Sequence, residues 1–148
     1  MLEVLEKKTD IINSLEVKVR FSEADSLGIV WHGHYLRYFE DGREAFGGQH
    51  GLGYLDVYKQ GYSIPVVKVE CDYKRPLKYG DKVIIETTYW NCEAAKLIFT
   101  YILRNSESKE IVATGRSIQV FVTVKGDLSL NVPPFFNGWK SKIGLLKS

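Results

Sequence analysis

No run of this 148-residue chain approaches the ~20 apolar residues that a membrane-spanning helix needs. Cysteine is scarce. Cys71 and Cys92 are the only two, too few for the disulfide framework of a small secreted domain. No charge of one sign dominates either: twenty Lys and Arg stand against eighteen Asp and Glu, a net +2 with no block of like charge. That balance argues against a nucleic-acid surface. The first residues, MLEVLEKKTDIINS, mix acidic and basic side chains and lack the apolar core of a secretory signal. No Ser/Gly/Pro-rich linker, low-complexity tract or fixed-period repeat divides the chain. A Gly-x-Ser-x-Gly elbow is missing too, which counts against a serine hydrolase. A single cytoplasmic domain over 1–148 is expected, with its core at about 15–125 and a tail at 126–148.

Hydrophobic residues make up 45% of the chain and charged residues 26%, ordinary values for a globular protein. A chain of this length buries roughly 70% of the surface it exposes when unfolded. The most informative stretch is 21–46, FSEADSLGIVWHGHYLRYFEDGREAF. Leading into it, Leu15, Val17, Val19 and Phe21 alternate with Glu16, Lys18 and Arg20, the pattern of a half-buried strand. From Gly33 to Phe46 the period becomes helical. Tyr35, Tyr38, Phe39, Gly42, Ala45 and Phe46 form an apolar stripe, and Arg37, Glu40, Asp41, Arg43 and Glu44 take the polar face. Gly42 inside a helix costs about 1 kcal/mol against Ala, so its place on the stripe implies close approach to a sheet. Gly47 and Gly48 are expected to end the helix. Between strand and helix lies a loop with Asp25 and Gly28. A carboxylate just before a helix N-terminus stands beside unsatisfied backbone donors, an arrangement suited to acyl chemistry.

A second short helix is expected over Leu52–Lys59, ending at Gly61. Strands follow at Ser63–Lys74, Lys82–Trp90, Leu97–Arg104 and Ile111–Val124. Leu97–Arg104 is apolar on both faces, which predicts a central strand. Gly115 suggests a bulge or bend. The polar turns Lys78–Asp81 and Asn105–Lys109 are short, and short connections favour antiparallel neighbours. The expected class is α+β: one long helix wrapped by a curved antiparallel sheet of about five strands. Such an arrangement leaves a strand edge and apolar surface exposed. Pairing of copies covers both, so a homodimer or homotetramer is expected.

The order of elements resembles the hotdog fold. The segment Asp25-Ser26-Leu27-Gly28-Ile29-Val30-Trp31-His32-Gly33-His34-Tyr35 resembles the signature loop of the 4-hydroxybenzoyl-CoA thioesterase family, which includes the acyl-CoA thioesterases related to the Tol–Pal cluster. That signature is an Asp, two variable residues, Gly, two apolar residues, an aromatic, and Tyr four residues on. Tyr73-Lys74-Arg75-Pro76-Leu77-Lys78-Tyr79-Gly80-Asp81 is similar to the family's strand-to-turn segment. The likeness covers about 15–125. Ser26-Leu27 departs from the Pro-Ala or Ala-Gly common after the Asp, a change expected to reshape the acyl pocket more than the chemistry.

The resemblance implies hydrolysis of an acyl-CoA thioester, with Asp25 as nucleophile or general base and the backbone N–H at His32 polarising the carbonyl. Preorganised amides at a helix start meet the charge that develops on that oxygen. Gly28, Trp31, Tyr35, Val67 and Lys68 are the expected substrate contacts. Lys68, Lys74, Arg75 and Lys96 are candidates to receive the CoA phosphates. No metal and no cofactor beyond substrate CoA is expected, and an acyl carrier protein is the alternative substrate carrier. A hotdog dehydratase would need a His and a helix carboxylate acting together, and the chain has no clear version of that pair. A non-catalytic acyl-CoA sensor would need an effector domain.

Each of these residues also has a plainer reading. Asp25 before Gly can simply cap a turn. His32 can be a satisfied polar residue at the helix start, with its amide rather than its ring at work. His34 reads as a surface or capping residue. Asp25, His32 and His34 at a helix start lack the shared face a metal site needs. Glu40 is a reserve nucleophile whose position also fits a solvated face. Gly47–Gly53 follows a helix rather than a strand, so it reads as a C-cap and turn, not a phosphate loop. Cys71 reads as core. Pro133-Pro134-Phe135-Phe136 and Trp139 read as a tail packing on its own sheet or on a neighbouring subunit.

Overall fold

The structure is a computed structural model describing residues 6–145, with side chains described from Ile11 onward. Strand β1 (Glu6–Lys18) leads to helix α1 (Tyr35–His50) and the short α2 (Tyr54–Lys59). There follow β2 (Tyr62–Ser63), β3 (Val66–Tyr73), β4 (Lys82–Asn91), β5 (Lys96–Asn105), β6 (Ile111–Val120), β7 (Val122–Thr123) and α3 (Pro134–Lys142). Five strands form one antiparallel sheet in the order β1-β4-β5-β6-β3. β2 and β7 make a separate two-stranded ribbon. This is the α+β hotdog arrangement, and β5, apolar on both faces, is its central strand.

Helix α1 lies over β1, β4 and β5. Tyr35, Tyr38, Phe39, Gly42 and Phe46 are buried on its inner face, as the period predicts. Gly42 sets the depth of approach: a Cβ there would collide with the side chains of Thr87 and Ile85 on β4. Gly115 does the same for Phe39, whose ring occupies the space a Cβ would need. Phe39 then stacks on Tyr101 with ring centroids 4.4 Å apart. Full burial of such side chains contributes about 1.5–3 kcal/mol each. Gly115 thus makes room for a helix side chain inside a regular strand.

Several boundaries differ from expectation. The first strand starts earlier, at Glu6, and ends at Lys18; Phe21 falls in a one-turn 3-10 helix (Phe21–Glu23) and is 76% exposed. Helix α1 passes through Gly47 and Gly48 and stops at Gly51, whose φ of +74° provides the left-handed cap. Gly47 serves packing instead, since a Cβ there would strike the Leu52–Gly53 backbone. The strand expected over Ile111–Val124 breaks at Phe121, where the buried ring turns into an aromatic cluster with Phe135 and Phe136. The tail folds as α3 on the protein's own core: Trp139 contacts Tyr89 and Phe46, and its Nε1–H donates to His50 O at 2.7 Å. Cys71 is half-buried on the edge strand β3 rather than in the core, whereas Cys92 is buried.

Candidate active site

The Asp25 loop is a small closed hairpin. Ala24 and Val30 bridge antiparallel, the Asp25 N–H donates to Ile29 O at 2.8 Å, and the Gly28 N–H donates to Asp25 O at 2.9 Å. Gly28 turns the chain with φ of +80°, a conformation that a side chain would strain. The far side of the hairpin is stitched to residues 77–79: Val30 N–H donates to Leu77 O at 2.8 Å, and Ile29 bridges Lys78.

Asp25 is exposed, and its two oxygens differ. Oδ1 accepts the Leu27 N–H at 2.8 Å and, more weakly, the Ile29 N–H at 3.4 Å. Oδ2 has no partner among the described residues. The turn-capping role is therefore real for one oxygen of Asp25.

Past the hairpin, a 3-10 turn (His32–His34) starts α1. The His34 N–H donates to Trp31 O at 3.0 Å, and the Tyr35 N–H donates to His32 O. The amides of His32 and Gly33 precede these bonds and have no acceptor among the described residues, as expected of donors at a helix N-terminus. The Trp31 indole lies directly over Gly33 and contacts the rings of His32 and His34 at 5.0 and 5.6 Å. Tyr73, at the end of β3, donates its hydroxyl to His32 O at 3.0 Å and ties the helix start to the sheet edge.

Here a cleft of about 280 Å³ opens, lined by Val30, His32, Tyr35, Tyr73, Lys74, Arg75 and Pro76. Its wall is aromatic, with the Tyr35 and Tyr73 rings 5.0 Å apart, and its rim is basic. Arg75 is paired with Glu110 at 2.9 Å on the surface, a contact of small net value. Burial pushes the Tyr35 hydroxyl above its ordinary range, offset in part by a backbone hydrogen bond at Leu77, so the phenol stays protonated. Burial also raises the Cys71 thiol, which keeps it out of its nucleophilic form at neutral pH.

Of the residues expected at the site, His32 and Tyr35 form walls of the cleft, and Trp31 abuts it. Asp25 and Gly28 sit in the hairpin whose last residue, Val30, lines it, but they are not walls themselves. Val67 and Lys68 stand apart, with Lys68 about 17 Å along β3 from Tyr73 at 3.3 Å per residue. Lys68 is engaged with Glu70 at 3.2 Å. Lys96 starts β5 opposite Val120, at that same far end. Glu40 is exposed on the outer face of α1, and His34 is the residue before its first turn. Sequence reasoning overlooked Tyr73 and Val30 as walls; the Tyr73–Pro76 motif was the available signal. A second cavity of about 290 Å³ lies beyond the other end of α1, between Leu52, Lys59 and Trp139, and contains none of the expected site residues.

Comparison with known proteins identifies the family and the fold. The sequence profile of the thioesterase-like superfamily matches residues 19–139. A Bacillus subtilis (strain 168) protein named "Putative acyl-CoA thioesterase YneP" is 34% identical over 110 residues, 74% of this chain and 80% of that protein. The acyl-CoA thioester hydrolase YbgC of Escherichia coli O157:H7 is 24% identical over 92 residues, 62% of this chain and 69% of its own. Among solved structures, the DHNA-CoA thioesterase of Staphylococcus aureus superimposes with a TM-score of 0.80 at 25% identity, over 90% of this chain and 91% of that one.

Proposed function

We propose the following division of labour for a chain that belongs to the thioesterase-like superfamily and is an acyl-CoA thioesterase of the hotdog fold: Asp25 attacks or activates water, and the His32 amide receives the carbonyl oxygen. The pairing of one unpartnered carboxylate oxygen with a preorganised helix N-terminus carries this reading. In the reaction, water or the Asp25 Oδ2 adds to the thioester carbon. Negative charge develops on the carbonyl oxygen, where fixed amide donors stabilise it most. The C–S bond then breaks, releasing CoA thiolate and the acid, or an anhydride with Asp25 that water opens. A thiolate leaves readily, so the residues need supply only orientation and charge.

Trp31, Tyr35 and Tyr73 present flat apolar surface to the acyl group, while Lys74 and Arg75 at the rim suit the CoA phosphates. Val67 and Lys68 enter the site only through a second copy. β3 is an edge strand with Val66 to Glu70 all exposed, Val67 by 60%. An exposed apolar edge of this length is a template for pairing with another chain. Antiparallel pairing of two β3 edges lays Val67 and Lys68 of each copy toward the Tyr73 end of the other. We therefore assign a homodimer built on β3.

Two measurements test these assignments. Thiol release from a panel of aliphatic and aromatic acyl-CoAs, beside the matching acyl-carrier-protein thioesters, should show turnover on CoA substrates; a panel with none contradicts the activity. Sedimentation should give a dimer for the wild type and a monomer for Val67→Asp, and a wild-type monomer contradicts the β3 pairing.

A further inference from the structure

Glu23 is 6% exposed, an unusual place for a carboxylate, and it binds in three directions. Its Oε1 accepts the Arg20 N–H at 2.7 Å and the Tyr38 hydroxyl at 3.0 Å. Its own carbonyl oxygen accepts the Trp31 N–H at 3.2 Å. Glu23 thus stands at the base of the Asp25 hairpin, at the end of the 3-10 turn that follows the first strand, and it holds the residue at which that hairpin passes into the helix. Tyr38 comes from the inner face of α1 and is 1% exposed. Burial first, and then the Glu23 charge, hold the Tyr38 phenol far above its usual range, so it remains a donor at any working pH. Asp41 belongs to the same neighbourhood. Burial and the Glu23 charge raise its carboxyl, and the Arg20 charge opposes them.

A buried carboxylate beside a second carboxylate is costly, and an apolar pair of similar size would serve the core at least as well. The cost points to a need for geometry. Apart from the helix start itself, the Glu23–Tyr38 hydrogen bond joins the hairpin's base to the body of α1 through side chains, and no other side-chain hydrogen bond does so among the described residues.

We propose that Glu23 and Tyr38 are positioning residues whose hydrogen bond sets the separation between the Asp25 carboxylate and the first amides of α1. The proposal rests on the catalytic roles assigned above to Asp25 and the His32 amide. Neither Glu23 nor Tyr38 touches the substrate. Their effect falls on the step in which both groups must meet one carbonyl, where small displacements cost rate. Binding of the CoA moiety depends on other residues and should be unaffected.

Tyr38→Phe keeps the ring in the core and removes only the donor. It should lower kcat about tenfold, the size expected for losing one hydrogen bond to a charged group, with KM within twofold. Glu23→Gln keeps an acceptor for both donors and should retain most of the wild-type kcat, whereas Glu23→Leu should not. A readout independent of turnover accompanies these rates. Amide exchange at Leu27, Gly28 and Ile29 should quicken about tenfold in Tyr38→Phe, while exchange in β5 stays unchanged. Wild-type exchange in the hairpin of Tyr38→Phe overturns the brace, and so does a loosened hairpin with wild-type kcat. A wild-type protein inactive on every thioester would overturn the assigned function alone, and the exchange comparison would still decide the brace.

Discussion

Gly33 lies beneath the indole of Trp31 so closely that a Cβ on Gly33 would overlap the six-membered ring. The contact fixes Trp31 over the first turn of the helix, beside the two amides with no intrahelical acceptor. Gly33→Ala must push the ring aside, because the neighbouring atoms are those of a rigid aromatic. We expect kcat/KM for an acyl-CoA to fall roughly 10- to 100-fold, as for a misplacement of about 1 Å at a reacting centre. The melting temperature should change little, since Trp31 is 53% exposed. Unchanged kinetics would show that Trp31 takes no part in shaping the site.

A pH-dependent test follows from Asp41. Burial first, then the Glu23 and Glu40 charges, raise its carboxyl above the ordinary 3.8, against the opposing pull of Arg20. A raised acid binds its proton more tightly in the folded state than in the unfolded one. Its contribution to stability is therefore complete below about pH 3.8 and is lost as pH climbs through the folded value. Asp41→Asn cannot ionise, so it should melt higher than wild type at pH 7. The advantage should shrink toward zero on acidification below the ordinary aspartate range. A pH-independent difference would contradict the assigned cause.

At the opposite end of α1, the Trp139 Nε1–H···O His50 bond of 2.7 Å satisfies a carbonyl in the last turn. Trp139→Phe keeps aromatic packing against Phe136 but removes the donor. Urea unfolding should show a loss of about 1 kcal/mol, the net worth of a typical buried hydrogen bond. Turnover should be untouched, because the cleft lies at the other end of the helix. A fall in kcat would mean that the tail helix communicates with the site.

The local parts of this fold were legible because local chemistry decides them. The stripe Tyr35–Phe46 could only be a helix laid on a sheet, and Gly42 announced how close it lies. The two-sided apolarity of Leu97–Arg104 marked the strand with neighbours on both sides. Gly47 misled, because a glycine needed for contact with the Leu52–Gly53 backbone looks the same in sequence as one needed to end a helix. Nothing local to Phe121 signals a break in the strand; the break answers to Phe135 and Phe136, more than a dozen residues on. Pro134 at the first turn of α3 is a usable local sign of a helix start. The site divides in the same way. Asp25, Gly28 and Tyr35 fall within one short motif, whereas Tyr73 reaches His32 only through the register of β3 on β6.

In the proposed mechanism the free oxygen of Asp25 performs the chemistry while its bound oxygen holds the turn. Asp25→Asn separates the two, since the amide oxygen can still accept the Leu27 N–H that Oδ1 accepts now at 2.8 Å. The direct measurement is single-substrate kinetics of thiol release by wild type and Asp25→Asn, with circular dichroism confirming an unchanged fold. A loss of roughly 10²-fold or more in kcat is expected. An Asn variant that turns over at the wild-type rate would remove Asp25 from the chemistry.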